Sequence, residues 1–253
     1  METSSDVPQQ WLEHRLAWKA KPVLRSIYGD FFRRVTAWLV PGFTLELGCG
    51  AGNFKEFFPT GVAVDIRPAP WVDAVADAHE LPFVDASVSN VVLIDVIHHL
   101  AAPRRFLAEA ERILAPGGRL VLVEPAITPL SWFFYRYFHP ERVDFAVDPL
   151  TQFDCEKKDP YDGNQAIPTL LFDKHLDRLR TEMPLLKLRH KSFLSLFAYP
   201  LSGGFRPWSL VPESLTTPLL NFEERMLPAI GKWMAFRMFV VLERMGAREN
   251  EHH

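Results

Sequence analysis

Four short apolar runs constrain this chain more than any other feature: "FTLEL", "GVAVDI", "VSNVVLIDVIHHL" and "RLVLVEP". Each is the length of one strand, and most lack the alternation expected of a strand with one wet face. Strands that are apolar on both sides need cover on both sides, and parallel sheets obtain it from crossover helices. Helical patterns fall where those crossovers are needed. Leu24, Ile27, Tyr28, Phe31, Val35, Trp38 and Leu39 recur at three- and four-residue spacing after Pro22. Pro103 opens a second such stretch, with Phe106, Leu107, Ala110, Ile113 and Leu114 on one face and "APGG" as its stop. A further short strand lies within "WVDAVADAHELPF". The pattern predicts an α/β fold with a doubly wound, mostly parallel sheet.

In such a sheet ligands bind beyond the carboxyl ends of the strands. Gly48 to Gly52, Asp65, Asp77, Asp95, His98, His99 and Glu124 all end or follow strands. Three glycines at alternate positions in "LELGCGAGNF" let a ligand touch the backbone where a helix begins and its N–H groups are free. Asp65 ends the next strand, where a carboxylate can accept hydrogen bonds from both hydroxyls of a ribose. Glu46 stands just before the glycines and would repel a pyrophosphate, but it suits an amino group. The implied ligand is a nucleoside with a positively charged amino-acid tail.

These segments resemble class I S-adenosylmethionine-dependent methyltransferases of the type 11, ubiquinone-methyltransferase-like branch. "LELGCGAGNF" resembles their first motif, "VAVDI" their acidic second strand, and "ADAHELPF" the segment packed on adenine. "VVLIDVIHHL" and "FLAEAERILAPGGRLVLVEP" resemble their fourth and fifth strands. The resemblance covers about residues 40–125 and implies S-adenosyl-L-methionine as cofactor. Glu46, Gly48 and Gly50 would border its methionine part, with Cys49 a small filler in the same loop. Asp65 would hold the ribose and Ile66 the adenine face, with Asp77 and Ala78 at the adenine edge. Asp95 and Val96 would lie near the transferred methyl. If the acceptor is a hydroxyl, His98 and His99 are the expected catalytic bases, with His139 and Glu124 as further candidates. The family's strand order also implies a sixth strand in "LLKLRHKSFLSLF" (185–197) and a seventh in "MAFRMFVVLER" (234–244), paired antiparallel at the sheet edge.

The organisation expected is a helical segment over 1–40, a core over 41–125 and 185–246, and an insertion over 126–184. That insertion holds "TPLSWFFYRYFHPERVDF", with six aromatic residues within seven positions from Trp132 to Phe138. It reads as a small cap with its own core, as a lid over an apolar small-molecule acceptor, or as a peripheral membrane contact. Asn164 and Gln165, which follow, read as helix caps or substrate contacts. "PESLTTPLLNFEERMLPAIG" reads as a loop and a helix, and "SGGFRPW" as a mobile turn. The net charge of −3 and the absence of a basic tract argue against nucleic acid. Cys49 and Cys155 form no disulfide framework, no metal-ligand spacing stands out, and the N-terminus has no signal-peptide pattern, so a cytoplasmic setting is expected. Two other functions share the sheet: a non-catalytic binder of the same cofactor, and a nicotinamide-dependent oxidoreductase, which Glu46 disfavours.

Overall fold

The apolar runs form the centre of a seven-stranded sheet ordered β3-β2-β1-β4-β5-β7-β6. Its strands are β1 (Thr44–Leu47), β2 (Val62–Asp65), β3 (Ala74–Val75), β4 (Val88–Ile94), β5 (Leu114–Pro125), β6 (Leu186–Leu194) and β7 (Arg237–Arg244). The first five are parallel, and β7 runs antiparallel between β5 and β6. The structure is a computed structural model describing residues 7–151, 159 and 162–246. Cys155 and the terminal "EHH" lie outside the described residues.

Each central strand feeds two cores at once, which is why its sequence does not alternate. Val91, Leu93, Leu120, Leu122, Val240 and Leu242 enter one core, against Phe106 and Leu107 of α4 (Pro103–Ile113) and against Leu170, Leu171 and Phe172. Val92, Val121, Val123, Phe239 and Val241 enter the other, against Ile27, Phe31 and Val35 of α2 (Pro22–Trp38). All these side chains are buried, so at about 25 cal/mol per Å² this three-layer packing is the main source of stability.

Two expectations from the sequence are corrected. The segment read as loop and helix is one 22-residue helix, Glu213–Met234, with Pro218 and Pro228 inside it. Both prolines are exposed, so the carbonyls they leave unbonded face water, while Thr216, Glu223 and Gly231 hold the opposite face against the protein. The turn expected to be mobile is fastened instead. Lys21 is buried, and its Nζ donates to the carbonyls of Ser202, Gly204, Arg206 and Trp208 at 2.6–2.9 Å. No short-range pattern links Lys21 to a turn some 180 residues away.

Replacing Lys21 with Met should leave four carbonyls without their cation. We expect a loss of about 2–4 kcal/mol in chemical denaturation, and no recovery with Arg, whose planar fork does not match this ring of acceptors. A change below about 0.5 kcal/mol would show the ring to be incidental.

Candidate functional site

A cavity of about 1340 Å³ opens beyond the carboxyl ends of β1, β2 and β4. Glu46, Gly48, Cys49, Gly50, Asp65, Ile66, Asp77, Ala78, Asp95, Val96, His98 and His99 all line it. The sheet therefore gathers at one place residues that lie up to 53 positions apart (99 minus 46).

The glycine turn answers first to the protein itself. A Cβ on Gly48 would stand 2.6 Å from Val96 Cγ2, and one on Gly52 would stand 2.6 Å from Trp71 Cδ1. Both have positive φ, +66° and +72°. Gly50 also has positive φ, and its N–H donates to Asp65 Oδ2 at 2.9 Å. Trp71 closes the loop from above, with Nε1 donating to the Gly50 carbonyl at 2.7 Å. Arg15, from α1 (Gln9–Ala20), lies over the Trp71 ring and donates to the Ala51 carbonyl. That helix also brings Trp11 and His14 to the cavity wall.

The two strand-end acids differ in their pairing. Asp65 is buried, accepts from Gly50 and from the Arg67 N–H, and burial raises its pKa in spite of those donors. Glu46 is buried, and its Oε2 has no hydrogen-bond partner. Burial, with Asp65 beside it, pushes the Glu46 carboxyl up to about 8. A buried carboxyl without a partner is costly, and a cationic donor from the cavity would satisfy it. Burial also drives the Cys49 thiol far up, which suits a filler and not a nucleophile.

Asp77, expected at an adenine edge, also has work within its own turn. Its Oδ1 accepts from the His79 N–H at 2.8 Å and meets His79 Nδ1 at 2.7 Å. Ile66 stands 48% exposed beside the cavity, as an uncovered apolar wall.

Beyond β4 the chain turns through Asp95, at φ +61°, into the histidine pair. Glu124, fully buried at the end of β5, organises this turn. Its Oε1 accepts from the Val96 and Ile97 N–H groups at 2.8 and 2.9 Å, and its Oε2 meets His98 Nδ1 at 2.7 Å. On the other side His98 Nε2 lies 3.4 Å from Glu141 Oε2. Burial would lower the His98 pKa, but the hydrogen bonds and charges of Glu124 and Glu141 raise it to about 9. Burial likewise opposes ionisation of Glu141, yet His98 pulls it down to about 2. Both ring nitrogens of His98 thus face carboxyl groups, which gives the ring a scaffold contact on each side. Glu124 is spent on that scaffold too. His139 lines the cavity with its pKa lowered by burial, and its Nδ1 accepts the Glu141 N–H at 3.3 Å. His99 remains on the wall, with Nε2 3.9 Å from Glu141 Oε1.

Several wall residues escaped the sequence reading. Arg237, at the start of β7, forms a buried ion pair with Asp95 Oδ1 and lies 4.3 Å over the Tyr199 ring. Tyr28 donates to Asp95 Oδ2 at 3.3 Å. A charge opening an otherwise apolar strand was the available signal for Arg237. Gln165 donates to Glu141 Oε2 at 2.5 Å, while Asn164 ties the Asp144 backbone to the turn before Ile167.

The aromatic segment divides. It forms α5 (Pro129–Phe138), capped by Thr128 and Ser131. Phe134, Tyr135 and Phe138 line the cavity; Trp132, Phe133 and Tyr137 are exposed and do not. Among the described residues no helix is long and apolar enough to cross a membrane.

Residues 45–122 match the family described as a methyltransferase domain. Over 106 residues the chain is 41% identical to the 27-O-demethylrifamycin SV methyltransferase of Amycolatopsis mediterranei, covering 34% of this chain and 39% of that protein. Over 111 residues it is 32% identical to the human thiol S-methyltransferase TMT1B, covering 36% and 46%. The chain thus spans less than half the length of either relative. Across 87% of its length it is similar to 94% of a SAM-dependent methyltransferase from Archaeoglobus fulgidus, with a TM-score of 0.52 and 15% identity, a likeness of fold.

An acid whose pKa rises on folding stabilises the fold fully below its unfolded value and loses that contribution as pH climbs through its folded value. For Glu46 that window runs from 4.5 to about 8. Glu46→Gln should therefore melt higher than the parent at pH 8, by the equivalent of about 1 kcal/mol or more, with the gap closing toward pH 4.5. A gap that does not depend on pH would show that Glu46 is not held neutral.

Proposed function

Since residues 45–122 place this chain among the class I S-adenosylmethionine-dependent methyltransferases, we propose that it transfers a methyl group to an oxygen or sulfur of a small acceptor with an apolar body. The observation that carries this reading is the buried, unpartnered Glu46 carboxyl, facing a cavity whose far wall is aromatic. A cavity of about 1340 Å³ exceeds the roughly 300–1,000 Å³ of a single small-ligand pocket, so two ligands fit side by side.

The residues present fit the cofactor. Glu46 would receive its ammonium and Asp65 its ribose, with the glycine turn bordering its methionine part and Ile66 and Ala78 against adenine. A bound cofactor supplies an electrophilic methyl, so the protein has little covalent chemistry to perform. The chain's own task is to align the acceptor and exclude water. Trp11 and the 203–208 turn cover the cofactor end, and Trp71 packs on the glycine turn. Phe134, Tyr135 and Phe138 would grip an apolar acceptor body, while His99, Glu141 and Arg237 would meet its polar end. The two curated relatives named above are an oxygen-directed and a thiol methyltransferase by name, which supports a heteroatom acceptor. A cytoplasmic setting and a small-molecule partner belong to the same reading. A protein that only binds the cofactor would share every cofactor contact, and product formation separates the two.

Calorimetry with S-adenosylmethionine, S-adenosylhomocysteine and NAD should show heat for the first two alone. Asp65→Ala should weaken S-adenosylhomocysteine binding by about 1.5–3 kcal/mol, and an unchanged Kd would refute the ribose assignment. Phe134→Ala should impair acceptor turnover with cofactor affinity retained, while Trp132→Ala, on the outer face, changes neither. Equal loss in both variants would mark α5 as core and not as acceptor wall.

A further inference from the structure

The histidine pair and Glu141 are arranged more closely than an ion pair requires. One imidazolium would satisfy one carboxylate, yet both Nε2 atoms approach Glu141, His98 at 3.4 Å from Oε2 and His99 at 3.9 Å from Oε1. One donor atom from each of the three residues lies within 4.8 Å of the others. Bonds of about 2.0–2.2 Å to a tetrahedral cation set its ligands about 3.3–3.6 Å apart, so the widest of these separations need close by no more than about 1.2 Å (4.8 minus 3.6) to hold one ion.

The surroundings fit the same purpose. Glu124 holds His98 Nδ1 at 2.7 Å, which leaves Nε2 as the ligating atom; a carboxylate behind an imidazole is the usual support of a metal-bound histidine. Gln165 orients Glu141 in the same way. Gly163 is packed so tightly that a Cβ there would stand 2.2 Å from Glu141 Oε2 and 3.1 Å from His99 Cε1. Backbone and carboxylate are thus in close contact, and all three ligands line the cavity. The neighbouring group of Asp95, His98 and Glu124 offers less, because Glu124 already serves two N–H groups and His98, and Asp95 is paired with Arg237.

We propose that His98, His99 and Glu141 hold a divalent first-row cation of zinc type, with a coordination position open to the cavity. Two imidazoles and one carboxylate form a ligand set that such ions favour, and three protein ligands leave room for an exogenous one. Resting on the methyltransferase reading, the open position takes the acceptor's oxygen or sulfur, so that the cation, and not a histidine, favours the ionised nucleophile. The acceptors this selects are hydroxyls, phenols and thiols. The ligands come from two segments, the His98–His99 pair and Glu141, 42 residues apart (141 minus 99), so no short metal-ligand spacing in the sequence announces them.

The full chain, stripped with a chelator, is titrated with Zn²⁺ alone against a chromophoric competitor and with Co²⁺ alone by visible absorption. One equivalent of Zn²⁺ should bind, and Co²⁺ should give the ligand-field bands of a four- or five-coordinate site that shift on adding 2-mercaptoethanol. His99→Ala and Gly163→Ala should each weaken Zn²⁺ binding at least tenfold, with folding checked by melting and circular dichroism. No stoichiometric binding, or binding of equal strength in both variants, as surface histidines would give, overturns the site. Cobalt bands that ignore the thiol overturn the open position. S-adenosylhomocysteine binding to the parent protein is measured in parallel. Its absence beside intact Zn²⁺ binding refutes the methyltransferase reading and leaves the ion site standing, and the converse result does the reverse.

Discussion

The carboxylate of Glu124 is the constraint from which the rest of the site follows. It is fully buried at the end of β5, where an unsatisfied charge would cost several kcal/mol. Two backbone N–H groups and His98 satisfy it, and all three belong to the turn after β4. That turn is thereby fixed to the neighbouring strand. Its fixed shape seats Val96 against Gly48 and aims His98 toward Glu141. One carboxylate couples the end of β5, the glycine turn after β1 and the wall of the cavity.

The cavity has two halves of different character. Near β1 and β2 lie a buried carboxyl whose Oε2 has no partner and a tight glycine turn, suited to a cationic tail on a nucleoside. Across from them stand aromatic rings from α5 and a cluster of charged side chains drawn from four segments. The second half is built mostly from the segment after β5 and the ends of β4 and β7. Glu46, Asp65 and the glycine turn of the first half lie within the stretch that matches the methyltransferase domain, whereas Trp11 and the 203–208 turn lie outside it.

Much of the sheet was legible because parallel strands covered on both faces must be apolar throughout, and their carboxyl ends must gather ligand-binding residues. Asp65, Glu46 and the glycines were readable for that reason. The glycines had a cause the sequence did not reveal: two of them make room for Val96 and Trp71, 48 and 19 residues away (96 minus 48, 71 minus 52). The contacts that hold the His98 ring from both sides were not legible, because neither Glu124 nor Glu141 is near it in sequence. The stretch expected as a loop and a helix is one helix, Glu213–Met234, which tolerates Pro218 and Pro228 because both are exposed.

By itself the sequence determined the layer architecture and the nucleoside-facing turn, because both rest on local periodicity and on spacing within single strand–turn–helix units. Tertiary structure alone decided which acids are satisfied and which are left seeking a partner. It also decided which face of the aromatic helix turns inward, and how Lys21, Arg237 and Gly163 fasten segments remote in the chain. Such facts depend on the distance between groups and on their shielding from water, and neither exists until the sheet has brought those segments together.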